Sequence, residues 1–289
     1  EMLRSLVGSE MCIRDSIYTT EFPDNSLRII ACLAIFMVFG YIIAHAVSAW
    51  RHYDAGMIES CRNALMFNNT GNLGVAMITL VFSHAPFVVD GKTPYLQEAM
   101  IVQIIIFVVQ SCALNTLGLY QAARGRLTVH DTLKVMFQMP MIYMLAAVIL
   151  CRYFSIDATG FYFWPVMTMA SQALTPLAMF IIGVQLSQTK IEWFDRDVWI
   201  VSIIKFFIFP LLGIVTIYGA NALLPGTFTA VGALVFLIYT AVPTAVNTAM
   251  FAVEFGNNPD YATQVVMNTT VLSALSMTLV IFIGHILFV

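Results

Sequence analysis

The sequence carries little charge and contains no long polar segment. Only 10% of its 289 residues are charged, whereas 60% are hydrophobic, and the mean hydropathy is +0.86. This composition excludes a soluble globular protein. The breaks between its apolar runs are too short to hold a soluble domain. We therefore predict an all-α polytopic membrane protein, because a helix satisfies its own backbone hydrogen bonds inside a bilayer.

Residue patterns of catalysis and metal binding are also missing. The chain has no His-Glu-x-x-His motif and no pair of aspartates inside an apolar run, and its five cysteines form no Cys-x-x-Cys or Cys/His ligand set. We expect neither an enzyme nor a metal or cofactor site, and no nucleic-acid partner. A channel would need a polar stripe along several spans, whereas the polar residues here concentrate at two points.

Apolar runs of about 20 residues, the length that crosses a bilayer, number about eight. Lysine and arginine are distributed seven to three between alternate loops. Because positive loops face the cytoplasm, we expect a multi-pass protein of the plasma or inner membrane with a cytoplasmic central loop and its C-terminus outside. The expected spans are residues 27–49, 63–83, 97–120, 133–153, 161–187, 198–221, 228–254 and 261–288.

Two of these spans are interrupted by residues that disfavour a helix. Residues 68–74 read NNTGNLG, and residues 241–247 read AVPTAVN. Glycine and asparagine weaken a helix interior, and proline removes a backbone donor. Two interrupted spans in corresponding positions of two halves indicate the binding site of a transporter. The alternative is an intact helix whose small and amide residues pack against neighbouring helices.

The half-helices that follow such breaks begin with partial positive charge and free N–H groups, which suit a carboxylate. For each amide side chain the alternative is an interhelical hydrogen bond without ligand contact. The residues that we expect to bind substrate are Asn69, Gly71, Asn72, Pro243, Thr244 and Asn247.

Lys205 is the only basic residue well inside a predicted span. A charge at that depth costs about 2.5–3.5 kcal/mol on insertion scales and indicates a function. Equally, its long stem could extend to the cytoplasmic interface, about 10 Å away. Gln103, Asn268 and Thr269 are further candidates for a supporting layer or for coupling. Because no carboxylate lies at mid-depth, coupling to a proton or sodium ion stays open, as does drive by the membrane potential.

Residues 1–26 do not fit the rest of the chain. The stretch 5–16 resembles the translation of sequencing-adapter DNA, so we expect 1–26 to be a non-native or disordered segment and the native N-terminus to be missing. Three spans (27–120, a first repeat) then precede the loop 121–132, and five (133–289, a second repeat) follow it. With two spans missing, the interrupted span is fourth in each repeat, and repeats of five spans insert in opposite orientations. We predict an inverted-repeat transporter with two broken crossing helices, about 8 spans present of an expected 10.

Several segments together resemble the auxin efflux carrier family of membrane transporters, in its bacterial branch. The resemblance extends over nearly everything from residue 27 onwards. It implies that the first two helices of each repeat form a scaffold, often a dimer face, and that the last three form the moving transport unit. Val75-Ala76 replaces a proline of many relatives, which implies a softer first break. The segments are Arg62, 66–74 (MFNNTGNLG), Pro165, 173–183 (ALTPLAMFIIG), 243–245 (PTA), Phe255-Gly256, 268–270 (NTT) and Leu272-Ser273.

The function that the resemblance implies is secondary active transport of a small organic anion, either an auxin-like carboxylate or a dicarboxylate. Alternating access would take place around the crossed broken helices. The alternatives are a carrier of the same architecture similar to the bile-acid and sodium symporters, whose sodium-site motifs have no counterpart here, and an inactive truncated gene model. The expected partners are the anion, a coupling proton or sodium ion, the lipid bilayer and a second copy in a homodimer.

Overall fold

The computed structural model describes residues 25–89, 91–124 and 195–288, together with Val166, Met169 and Val184. Within these ranges the chain is helical, and only two isolated bridges show strand-like pairing. The predicted spans 133–153 and 161–187 and nearly all of the segment 1–26 lie outside the described residues. The described helices, numbered in chain order, are α1 (Ser26–Arg51), α2 (Ala55–Met66), α3 (Val75–Phe82), α4 (Leu96–Arg124), α5 (Arg196–Leu223), α6 (Ala230–Ala241), α7 (Val246–Glu254) and α8 (Pro259–Phe288).

Four of these helices are long and apolar enough to cross a membrane. They are α1, α4, α5 and α8, with 26 to 30 residues and hydropathies of 2.0 to 2.4 in their most apolar windows. The described part of the chain is therefore helical with four membrane-capable helices, as predicted, whereas the count of eight spans and the inverted repeat stay predictions. Helix α4 continues to Arg124, past the predicted end of its span, because Gln121, Ala122 and Ala123 are buried against α2 and α7.

Both interrupted spans are broken in the structure. Helix α2 ends at Met66, and Phe67 is extended with φ −115° and ψ 124°. The chain then enters a π-helical turn, Thr70–Gly74, that leads into α3. Helix α6 ends at Ala241, and Val242 is extended with φ −64° and ψ 136°. Pro243 has no N–H to donate to the Tyr239 carbonyl, and this missing donor favours the end of α6 before α7 begins.

Another π-helical turn, Ile204–Ile208, lies within α5 and contains Lys205. It precedes Pro210, which has no N–H to donate to the carbonyl of Phe206 and crowds that carbonyl sterically. Single π-helical turns inside α-helices occur frequently at functional sites. Pro210 therefore favours a π-helical irregularity in α5 at the turn that contains the buried Lys205.

The helix ends form two groups at opposite ends of the molecule. At one end, the Arg51 guanidinium at the end of α1 lies 2.8 Å from the Asp197 carboxylate at the start of α5. At the other end, the Thr229 hydroxyl before α6 donates to the Glu98 carboxylate of α4 at 2.5 Å. Loops that the sequence assigns to one side of the membrane thus meet in the structure. Which side faces the cytoplasm stays a prediction.

Candidate functional site

The two breaks pair with each other. The Asn69 N–H donates to the Pro243 carbonyl at 2.8 Å, and the Ala245 N–H donates to the Phe67 carbonyl at 3.0 Å. Asn68 and Thr244 face each other as an antiparallel bridge, and both side chains are buried. Backbone groups that leave a helix inside a membrane need partners within the protein. Here each break supplies partners for the other, and we call this pairing of residues 67–69 with 243–245 the crossing.

Side chains from three other segments satisfy the carbonyls at the end of α2. The Thr244 hydroxyl donates to the Ala64 carbonyl at 3.0 Å, and the Gln110 amide donates to the Met66 carbonyl at 3.2 Å. The Lys205 ammonium reaches the Phe67 carbonyl at 3.3 Å. The last carbonyls of a helix have no partner within the helix, so these contacts allow α2 to end in the protein interior.

Asn68 connects the crossing to two helices. Its amide nitrogen donates to the Tyr239 carbonyl of α6 at 3.0 Å, and its amide oxygen accepts from the Lys205 ammonium at 2.5 Å. Its backbone N–H donates to Gln110 Oε1 at 3.3 Å, and Gln110 Nε2 in turn donates to the Tyr239 hydroxyl at 2.6 Å. Asn68 and Gln110 are both nearly inaccessible to solvent. The polar groups of the crossing thus form one connected network.

Lys205 lies at the crossing and does not extend to the membrane interface. Its side chain is 0% exposed, and its contacts are the Phe67 carbonyl and the Asn68 amide oxygen. Among the described residues, the ion pairs involve Arg51 and Arg62, and no carboxylate pairs with Lys205. The sequence leaves two positions open for Lys205, buried within the span or extended to the interface. In the structure its side chain is buried.

The predicted substrate residues fall into three situations. Pro243 and Thr244 take part in the hydrogen bonds of the crossing, whereas the Asn69 side chain is buried (6% exposed) and its amide nitrogen has no hydrogen-bond partner among the described residues. Asn247 is half-buried in the first turn of α7. The structure describes the backbone of Asn72 but not its side chain.

Gly71 allows a close approach between the π-helical turn and α4. A Cβ atom at this position would lie 2.8 Å from a ring carbon of Phe107. Such a distance is shorter than real Cβ contacts, so any side chain here would have to displace the Phe107 ring. The structure therefore gives Gly71 a packing role, and its N–H group is what it could offer to a ligand.

The candidates for a supporting layer separate into two groups. Gln103 donates to the Thr70 carbonyl at 2.8 Å, and Thr269 accepts from the Thr244 N–H at 3.3 Å, so both touch residues next to or within the crossing. Asn268 instead donates to the Ser202 hydroxyl of α5 at 2.9 Å. The Asn268 hydrogen bond thus joins α8 to α5 outside the crossing.

Helix C-termini and helix N-termini, which carry partial charges of opposite sign, meet at the crossing. Helices α2 and α6 end there, and a helix C-terminus carries partial negative charge. The π-helical turn before α3 and the helix α7 begin there, and a helix N-terminus carries partial positive charge. Neither Asn69 nor Ala245, the residues that precede these two starts, caps the first turn with its side chain. The arrangement can hold a cation near Phe67 and an anion near the two starts.

Sequence reasoning missed Asn68, Gln110 and Tyr239 as members of the site. Asn68 is adjacent to Asn69, and nothing in the sequence distinguishes which of the two faces the network. Gln110 lies in an apolar run and contacts the end of the broken helix α2, but the sequence gives it no place among the predicted site residues. Tyr239 lies in a continuous apolar run, where a tyrosine gives no signal.

Gly74 tests the contact between Gln103 and the π-helical turn. In the Gly74→Ala variant the new Cβ would lie 2.5 Å from Gln103 Nε2, which must then leave the Thr70 carbonyl. We expect a loss of stability of about 1–3 kcal/mol, the cost of an unpaired buried polar group. Thermal unfolding in detergent measures it. Gly219→Ala is the matched control, because no atom lies within 4 Å of its new Cβ, and we expect no loss there. Equal losses at both positions would contradict the prediction.

Comparison with known families gives one match. The family model described as "membrane transport protein" matches residues 133–281, slightly more than half of the 289 residues. The matched range contains Lys205, Thr244 and Thr269, whereas the first break lies before it. No curated protein matches the chain.

Proposed function

The chain belongs to the membrane transport protein family, the auxin efflux carrier family, and from this premise we propose that it carries a small organic anion by alternating access around the crossing. The proposed substrates are auxin-like carboxylates or dicarboxylates. Members of the family are transporters, and the apolar helices agree with an integral membrane protein.

The uncapped helix starts at the crossing are the observation that supports an anionic substrate. The first turns after Asn69 and Ala245 receive no side-chain hydrogen bond from these residues. The Asn69 amide nitrogen, a donor, is buried beside one of these starts and has no partner in the part of the chain that the structure describes. A buried donor without a partner costs about 1–3 kcal/mol. A carboxylate would accept from this donor and from backbone N–H groups of the first turns, and would be favoured by both dipoles.

Burial of the crossing supports alternating access. Thr244 is 0% exposed and Asn68 is 3% exposed, so a substrate reaches the crossing only when packed helices separate. A continuous pore would leave these side chains in water. In the proposed cycle the crossing therefore opens to one side of the membrane at a time.

The proposal includes the organisation expected from the sequence. Residues 27–120 and 133–289 would be inverted repeats separated by a cytoplasmic loop at 121–132, with the C-terminus outside. The second repeat would supply α5, α6, α7 and α8 to the moving transport unit. A homodimer through the scaffold and coupling to a proton or sodium ion belong to the same proposal.

Substitution of Asn69 tests the substrate site. We expect Asn69→Ala to raise the KM for a transported carboxylate about tenfold or more, because a hydrogen bond to a charged group is worth about 1.5–3 kcal/mol. Its stability should hardly change, because the Asn69 amide nitrogen has no partner to lose. The measurement is uptake of radiolabelled carboxylates into proteoliposomes, with thermal unfolding of the same preparations.

Asn221→Ala is the matched control for that measurement. The Asn221 side chain pairs with the backbone of Phe228 in both directions, at 3.1 Å and 2.8 Å. Its loss should lower stability and leave KM unchanged. If Asn69→Ala leaves KM unchanged as well, Asn69 does not bind the substrate. If the folded wild-type protein transports no carboxylate, the anion proposal fails.

A further inference from the structure

The Lys205 ammonium lies where two helix C-termini meet. It contacts the Phe67 carbonyl directly after α2, and it contacts the Asn68 amide, which itself bonds the Tyr239 carbonyl in the last turn of α6. Both helices point their partial negative charge at this position. In transporters with broken helices, unwound carbonyls and half-helix C-termini are the groups that coordinate a coupling cation. Lys205 has that set of partners.

No other charge among the described residues competes for this position. Among the described helices, α6 and α8 are the neighbours that pack against the Ile204–Ile208 turn most extensively. Helix α6 contains no acidic residue, and the single one in α8 is Asp260, in its first turn. Among the described residues, Lys205 is therefore the one ionisable group that contacts the crossing, and it is fixed to α5 and held by dipoles and neutral oxygens. A lysine in this position cannot diffuse away as a bound ion does.

We propose that Lys205 is a built-in cation of the transport unit: its ammonium takes the place of a coupling ion at the crossing, so that transport needs no sodium ion and the empty unit carries one positive charge through the membrane field. This inference rests on the proposed alternating access. When a monocarboxylate is bound, the charge of the unit is cancelled and the loaded step is electrically neutral, whereas a dicarboxylate would leave one negative charge. The membrane potential then acts on the return of the empty unit.

Charge movement in the absence of substrate tests this inference directly. Voltage steps applied to membranes containing the full-length protein, without sodium and without anion, should produce a saturating transient of at most about one elementary charge per carrier. Lys205→Arg keeps the charge and should keep the transient, whereas Lys205→Gln should abolish it. Lys92→Gln is the control, because Lys92 lies in an exposed turn outside the helices, and its transient should match the wild type.

The outcomes separate this inference from the proposed function. A wild-type protein without a transient, or a Lys205→Gln variant with a transient of wild-type size, overturns the built-in cation. A transient that depends on Lys205 supports it even if no carboxylate is transported, in which case only the anion proposal fails. A saturating monocarboxylate should suppress the wild-type transient, and a transient that a transported monocarboxylate leaves unchanged overturns the neutral loaded step.

A second measurement uses the wild-type protein alone and does not depend on the folding of a variant. Uptake of the transported substrate should stay within about twofold when N-methylglucamine replaces sodium on both sides, since coupling to sodium would couple the two binding equilibria by fivefold or more. An absolute requirement for sodium would overturn the inference, because the cation position would then belong to the ion.

Discussion

Replacement of Asn68 by leucine is expected to destabilise the protein by about 3–5 kcal/mol and to abolish transport. The substitution removes the amide that accepts from Lys205 at 2.5 Å and donates to the Tyr239 carbonyl at 3.0 Å. It leaves the buried ammonium with the Phe67 carbonyl as its remaining partner, and removal of one partner of a buried charge costs about 3–5 kcal/mol. Thermal unfolding in detergent should show a fall in Tm on the order of 10 °C.

Two further variants identify the cause of that loss. Asn68→Asp keeps an acceptor for Lys205 but has no amide to donate to Tyr239, so its stability should fall between those of the wild type and the leucine variant. Its transport should stay low, because an adjacent carboxylate cancels the charge of Lys205. Asn115→Leu is the control, since the Asn115 side chain is equally buried but its oxygen has no partner. A loss at Asn115 as large as that at Asn68 would show that burial alone, and not the network, sets the cost.

The positions of both breaks could be predicted from local chemistry. Glycine, asparagine and proline inside apolar runs disfavour a helix by their own backbone preferences. The structure ends α2 at Met66 and α6 at Ala241, next to the residues that carry those preferences. The membrane class likewise follows from composition. These features depend on single residues and their immediate neighbours, so they can be predicted from the sequence alone.

The partners within the crossing depend on geometry that the sequence does not encode locally. Successive side chains of an extended segment point to opposite sides, so Asn68 and Asn69 are directed differently although they are the same residue type. Asn69 is among the predicted substrate residues and Asn68 is not, although no local preference separates the two. Lys205 presents the same difficulty. The sequence supports a buried position and extension to the interface equally, and only the position of α5 decides between them.

The Thr244→Val substitution is expected to cost about 1–3 kcal/mol although it preserves the shape of the side chain. The hydroxyl of Thr244 donates to the Ala64 carbonyl at 3.0 Å, and that carbonyl belongs to the last turn of α2. Because α2 ends at Met66, the intrahelical donor for Ala64 is missing. Valine leaves the carbonyl buried without this partner, and an unpaired buried acceptor costs about 1–3 kcal/mol. Thermal unfolding of the purified variant measures the loss, and proteoliposome uptake should slow because the two breaks are less firmly joined.

Thr216→Val is the matched control for this effect. The Thr216 hydroxyl also donates to a carbonyl, that of Leu212 at 2.7 Å, but Leu212 lies one turn earlier in the same helix. That carbonyl keeps its intrahelical donor when the hydroxyl is removed, so the change should stay within about 0.5 kcal/mol. A cost that is equal at the two positions would mean that threonine hydroxyls matter here in general. A cost confined to Thr244 would show that the second break supplies the C-terminal cap of the first broken helix, so that opening the crossing must also uncap α2.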